Sequence, residues 1–287
     1  MKFHIAAAFL AQTAYAGWCD EWEEGTLEWS DEFDGDTLDD SKWNIVCNDM
    51  SGENCGSLPF TTSANGAECR SARCIPEAVA VGDGYLTLTS SRDVNNSTAW
   101  TTGAVKTMNK ASWTVGDGTY RMCISAKLPG GGSTDGAGQG IWPAHWMMPE
   151  DDSCDPDEGE MDIMEMVSGD GTTWATYHWQ DTWPAETCTY PDGHQHVYGE
   201  LYMGDDWAED FHEFGVERSN DYVAFSVDGK VLVNSSSSEL DVLLWPMPFY
   251  LILNTAVGGS WPGEPDDRTV SPTMHVIDYV RLARATV

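Results

Sequence analysis

Positive charge is what this chain has least of: 14 Lys and Arg stand against 47 Asp and Glu in 287 residues, a formal net charge of −33 at pH 7. Such a surface repels phosphate backbones and anionic lipid, so neither nucleic acid nor a membrane is expected as a partner. Long apolar runs are missing as well. Beyond Ala16 no stretch approaches the roughly 20 residues that a membrane-spanning helix requires. No Cys-x-x-Cys or His-x-x-x-His spacing offers a zinc or redox motif. The Gly-rich run from Gly130 to Gly138 lacks the following Lys-Ser/Thr of a phosphate loop and reads as a surface loop. Nor does the pattern hold an amphipathic helix longer than two turns.

What is present describes a folded, turn-rich protein. Hydrophobic residues make up 41% of the chain, too many for an acidic disordered segment, and 28 Gly, 13 Pro and 14 Trp accompany them. Met1 to Ala16 runs from a basic start at Lys2 through apolar Phe3 to Leu10 to a small-residue exit at Ala14-Tyr15-Ala16, the pattern of a secretory signal peptide. Residues 17–287 are then expected to form a single domain, secreted and monomeric. The eight cysteines are an even set suited to structural disulfides in an oxidising compartment, with a pairing that spacing does not give. Sequons at Asn95, Asn96 and Asn234 fit the same setting.

Short β-rich runs recur between turn residues, at Tyr85–Thr89, Thr119–Ala126, Tyr222–Val227, Lys230–Val233, Phe249–Leu253 and Met274–Leu282. Asp83-Gly84, Asp117-Gly118 and Asp228-Gly229 supply positive-φ turn chemistry, and the last predicts a tight hairpin. The segment from Cys47 to Cys74 reads as an irregular, disulfide-stapled excursion. Strands at this spacing, without helices to carry parallel crossovers, predict an all-β fold: an antiparallel two-sheet β-sandwich of jelly-roll type.

Chemistry concentrates in Gly159-Glu160-Met161-Asp162-Ile163-Met164-Glu165-Met166, three carboxylates woven into an apolar strand. In a regular strand Glu160 and Asp162 share a face while Glu165 turns to the other, into the core. Burying an unpaired Glu among Met and Ile costs several kcal/mol or forces its protonation. One extra residue in a β-bulge near Ile163-Met164 returns Glu165 to the face of Glu160 and Asp162, and that bulge is the expectation. Three acids on one face cannot all ionise freely, so acid and base roles separate. A glycosidase needs such a pair, one ionised carboxylate and one protonated acid flanking the glycosidic oxygen. Taken alone, an acidic strand equally suits a calcium ligand set or a solvated edge. Trp142, Trp146, His178, Trp179 and Trp261 lie near or after it, and a sandwich can gather such rings on one concave face, where sugars stack by their CH faces.

With those residues in view, the sequence resembles glycoside hydrolase family 16, and within it the laminarinase-like endo-β-1,3-glucanases. Gly159 to Glu165 is similar to the family's bulged active-site motif. Further matches run in order at Trp29–Gly35 with Leu38 and Trp43, Ala126–Gly131, Gly140–Pro149, Tyr177–Trp179, Phe225–Gly229, Asn254–Gly263 and Ile277–Arg281, spanning nearly the whole chain after residue 16. The resemblance implies a jelly roll with an open substrate cleft across its concave sheet. It implies Glu160 as nucleophile, Asp162 as the residue that tunes and orients the pair, and Glu165 as general acid and then base. Trp142, Trp146, His178, Trp179, Asn254 and Trp261 are the implied substrate-binding residues. No cofactor is expected for catalysis; a structural calcium on the convex face would use Glu32 and Asp278. Two stretches depart from the family pattern: Thr102-Gly103-Ala104-Val105, where many members carry an Arg, and Ile75-Pro-Glu-Ala-Val79 in place of Arg-Pro-Glu-Asn-Val. The expected substrate is a neutral β-glucan, because an anionic polymer is repelled by an already negative cleft. A transglycosylase or mixed-linkage β-1,3-1,4-glucanase of the same fold, and a non-catalytic β-glucan-binding protein, stand as the alternatives.

Overall fold

The computed structural model describes residues 19, 27–48, 60–61, 67–130, 136–150, 159–180, 192–236 and 247–284. The expected signal peptide, the middle of the Cys47–Cys74 excursion and the centre of the Gly-rich loop lie outside the described residues. Among the described residues there is no α-helix, only two short 3-10 turns at Pro76–Ala78 and Val115–Asp117.

The strands are β1 (Leu27–Asp31), β2 (Asn44–Val46), β3 (Phe60–Thr61), β4 (Arg73–Cys74), β5 (Val79–Gly82), β6 (Tyr85–Arg92), β7 (Trp100–Thr102), β8 (Ala104–Lys106) and β9 (Tyr120–Lys127). They continue with β10 (Ile141–Pro149), β11 (Glu160–Met166), β12 (Thr172–Gln180), β13 (His194–Tyr202), β14 (His212–Arg218), β15 (Tyr222–Val227), β16 (Lys230–Ser236), β17 (Phe249–Val257) and β18 (Thr273–Arg284). One sheet runs β13-β12-β11-β10-β17-β8-β2-β3, and the other runs β16-β15-β14-β9-β18-β6-β7-β4 with β1 and β5 on its flanks. Pairing is antiparallel apart from β2 with β3 and β4 with β7. This is the expected jelly-roll sandwich, and each of the six predicted runs falls in a strand. Asp228 (φ 49°) and Gly229 (φ 75°) make the tight turn between β15 and β16, both central residues in the left-handed region that such a hairpin needs.

Period-two alternation builds the core. Met161, Met164, Met147, Leu251 and Leu253 of the first sheet meet Leu86, Leu88, Met122, Ile124, Phe214, Ile277, Val280 and Leu282 of the second, all within one buried cluster. Each such side chain contributes about 1.5–3 kcal/mol by leaving water, so the sheet that carries the site is held from behind along its length. Cys19 is joined to Cys123 on β9, and Cys69 to Cys74 across a separation of five residues. Asn95, Asn96 and Asn234 are exposed.

Candidate active site

The acidic motif forms β11, whose pairing carries the predicted irregularity. Against β12, Asp162 sits opposite Thr176 and Glu165 opposite Trp174, three residues on one strand facing two steps on the other. Against β10 the same slip falls between Trp146, opposite Asp162, and His145, opposite Met164. One extra residue, Ile163, is thus inserted between the acids. Ile163 and Met164 both go into the core, and Glu165 emerges on the other side with Glu160 and Asp162. All three carboxylates line one open cleft of about 580 Å³.

The acids differ in their surroundings. Asp162 is buried, and its Oδ2 meets Nε2 of His178 at 2.9 Å. One oxygen each of Glu160 and Asp162 and one ring nitrogen of His178 lie within 4.8 Å of one another. That set has the donors to hold a cation, and the Oδ2 of Asp162 within it is buried with no hydrogen-bond partner. Glu165 accepts a hydrogen bond from Nε1 of Trp142 at 3.0 Å. Burial pushes its carboxyl up to about 7, only partly offset by the charges of His178 and Arg70 and by that hydrogen bond. A carboxyl that keeps its proton near neutrality is the form that general acid catalysis requires.

The walls are aromatic and the floor is small. Ala144 and Ala256 lie beneath the acids, flanked by Trp142 and Trp146 on the same face of β10. Trp146 donates through Nε1 to Oδ1 of Asn254 at 2.8 Å, and Asn254 donates to the carbonyl of Glu68 at 2.8 Å, so the ring is fixed by a buried relay from β17. Trp261 meets Trp142 edge-on at 5.2 Å and Trp174 at 6.3 Å, and Trp174 packs on Tyr198 at 5.4 Å. Arg70 places its guanidinium 5.0 Å from the Trp142 ring centre and is the one Arg or Lys lining the cleft among the described residues. His178, His194 and His196 close the opposite side.

Residues 81–281 match the family described as Glycosyl hydrolases family 16. The chain belongs to that family. It is 32% identical over 276 residues to "Glucan endo-1,3-beta-glucosidase A1" of Niallia circulans, an alignment covering 89% of this chain and 37% of that relative. It is 31% identical over 285 residues to "Beta-glucanase" of Rhodothermus marinus, covering 92% of this chain and 85% of the relative. Among solved structures, the laminarinase catalytic domain of Thermotoga maritima superposes with a TM-score of 0.69 at 31% identity, covering 91% of this chain and 98% of the other. The laminarinase of Rhodothermus marinus gives 0.67 at 29% identity, with coverage of 91% and 98%. Glycoside hydrolase chemistry therefore comes with the fold.

Within this family 16 cleft, the structure gathers Glu160, Asp162, Glu165, Trp142, Trp146, His178, Asn254 and Trp261 around one space. It corrects one expectation. Trp179 does not reach the cleft; it stacks on Tyr177 at 5.6 Å and packs against the core. Neighbouring strand residues point to opposite faces, so a cleft-facing His178 excludes Trp179. Glu32 and Asp278 sit on the other sheet, where Glu32 gives both oxygens to Arg281 and Asp278 accepts from Ser125 Oγ at 3.3 Å. Thus engaged, they do not fit a hard cation that takes six to eight oxygens. Arg70, Trp174, Thr176, His194, His196 and Tyr198 line the cleft without having been singled out. For Trp174 and Thr176, counting back in twos from His178 gives the signal. For β13, the alternation His194-x-His196-x-Tyr198 does so; for Arg70, on a distant disulfide-closed loop, there is none.

Proposed function

We propose that this chain is a secreted, endo-acting β-1,3-glucanase that hydrolyses neutral laminarin-type glucan with retention of anomeric configuration. The observation that carries the reading is the single inserted residue at Ile163, which turns Glu165 into the cleft shared by Glu160 and Asp162. Glu160 attacks the anomeric carbon as Glu165 gives its proton to the departing glycosidic oxygen; Glu165, now ionised, then takes a proton from water, whose oxygen displaces Glu160. Asp162, 2.9 Å from His178, lies beside the nucleophile and orients it. A Glu165 carboxyl near 7 is still largely protonated in mildly acidic solution, as the first step needs. The relatives named for endo-1,3-β-glucan cleavage support the linkage, the open cleft supports attack within a chain, and the paired cysteines support an oxidising destination.

Incubation with soluble β-1,3-, mixed-linkage and β-1,4-glucans, reading product length and anomeric form together, tests the proposal. Short β-configured oligosaccharides from the β-1,3-glucan are expected. Release of α-configured ends would overturn retention, lengthened products would make the enzyme a transferase, and binding without any cleavage would make it a recognition protein.

A further inference from the structure

In a chain with 14 Lys and Arg against 47 Asp and Glu, a cation has no shortage of partners. Arg92, Arg121, Arg268, Arg281 and Arg284 each donate to a protein oxygen. Arg70 differs. Its guanidinium lies 5.0 Å from the Trp142 ring centre and lines both the main cleft and the recess over Ala67, Ala144, Asn254 and Ala256. It makes no hydrogen bond or ion pair with the described residues. What is held is its backbone. Arg70 bridges to Val257 at the end of β17, where Val257 N–H donates to the Cys69 carbonyl at 3.3 Å and Ser71 N–H to the Val257 carbonyl at 3.0 Å. Just before it, buried Glu68 pairs with buried Lys106 at 3.3 Å and offers its carbonyl to Asn254. The Cys69–Cys74 disulfide packs with Val46 and Ala104. Within this frame Arg70 sits at φ 53°, a region that glycine enters freely and arginine does not. Such a conformation persists where its surroundings over-determine it, and these outliers gather at ligand clamps.

We infer that Arg70 is a substrate-binding residue, donating through its guanidinium to hydroxyls of the sugar unit that lies against Trp142. The inference rests on the glucanase reading for the identity of that sugar. A guanidinium is a flat fork of N–H donors, suited to two oxygens of one ring, where an ammonium offers only a point charge. Resting on the face of Trp142, the fork keeps its charge near an aromatic surface and its N–H edges toward the occupant. Neutral hydroxyls suit this place better than an anionic group, because Glu160, Asp162 and Glu165 line the same recess and repel a second negative charge. His194, His196 and Tyr198 of β13 line the opposite end, so Arg70 marks the end of the cleft at β17.

The test is Arg70→Gly, which removes the side chain and suits the backbone at φ 53°, beside Arg70→Lys, which keeps the charge and loses the fork. Binding is read first, by calorimetry with a β-1,3-linked glucohexaose on protein carrying Glu160→Gln, so that no linkage is cut. In that background Arg70→Gly is expected to weaken hexaose binding by about 10- to 100-fold, the loss that follows removal of hydrogen bonds from a charged donor, and Arg70→Lys by a smaller factor. In protein that keeps Glu160, the loss on laminarin is expected to fall on KM, with kcat moving less than about threefold. Unchanged hexaose binding in Arg70→Gly overturns the inference. A loss confined to kcat overturns it too, since Arg70 would then be only a counter-charge for Glu165. Because the hexaose is bound without being cut, weaker binding by Arg70→Gly in a protein that cleaves no glucan would leave this inference standing and remove the hydrolase reading instead.

Discussion

The two faces of the cleft sheet are built from the same strands and share almost nothing. On the open side β10, β11 and β17 present Trp142, Ala144, Trp146, Glu160, Asp162, Glu165 and Asn254; on the closed side they present His145, Met147, Met161, Ile163, Met164 and Leu253. Their imidazole pairs make the contrast sharpest. His178 and His194 join at 2.8 Å beside a carboxylate. His145 and His275 join at 3.0 Å, both fully buried between the sheets, with Phe214 against one ring and Thr255 Oγ1 near the other. The same chemical couple serves as a polar link on one side and as core filling on the other. The difference teaches that parity along a strand, more than residue type, separates what this protein does from what keeps it folded.

The contrast breaks most completely if the parity is reset. Inserting an alanine between Met164 and Glu165 puts Glu165 out of phase with Glu160 and Asp162 and turns it towards the core; loss of all activity and of cooperative unfolding is expected, measured by laminarin cleavage and thermal melts. Next comes Glu165→Gln, which keeps shape and removes the acid: turnover should fall by about 10²–10⁴-fold while the melting temperature holds. In the wild type, kcat/KM should decline on the alkaline side around pH 7 as Glu165 loses its proton. Trp142→Phe removes a hydrogen bond that favours the ionised form, so that alkaline limb should move upward, by less than about one pH unit.

The buried imidazoles give a smaller effect on stability. Burial lowers both, His145 well below its ordinary value and His275 to about 3. The unfolded chain binds protons at these residues below about pH 6.5 while the folded protein does not, so stability is complete above that pH and is lost as pH falls toward 3. Replacing both with Leu should remove about 2 kcal/mol per histidine of the loss between pH 7 and pH 5, read from urea melts; parallel acid limbs in the two proteins would contradict it. The smallest pair of changes sits on β12. Trp174→Ala should raise KM about 3- to 10-fold with little effect on melting, whereas Trp179→Ala should cost up to about 3 kcal/mol of stability and leave KM unchanged.

Much of this division is legible in the sequence wherever alternation meets an energetic prohibition. The bulge is foreseeable because a regular strand would bury Glu165, and nothing nearby could neutralise it. The sandwich is foreseeable from six β-rich runs with Asp-Gly turns. Trp179 escapes because abundance of tryptophan says nothing about which face each ring takes; the adjacent His178 carries that information. Arg70 escapes for a different reason: it reaches the cleft from a loop far away in the chain, beside Val257 and opposite Trp142, and contacts of that kind have no local pattern. The Glu32–Arg281 pair is likewise a product of β1 lying on β18, invisible until the strands are paired.

Arg70 also carries a consequence for how this protein must be made. It occupies the position next to Cys69 inside the small ring closed by Cys74, with its backbone in the left-handed region at φ 53°. A conformation that a side-chain-bearing residue adopts reluctantly is thereby pinned by a covalent link. The Arg70 guanidinium over the cleft is thus tethered to an oxidised sulfur pair: protein harvested from a thiol-rich host compartment would keep its acids and aromatic walls yet lose the clasp that aims this guanidinium.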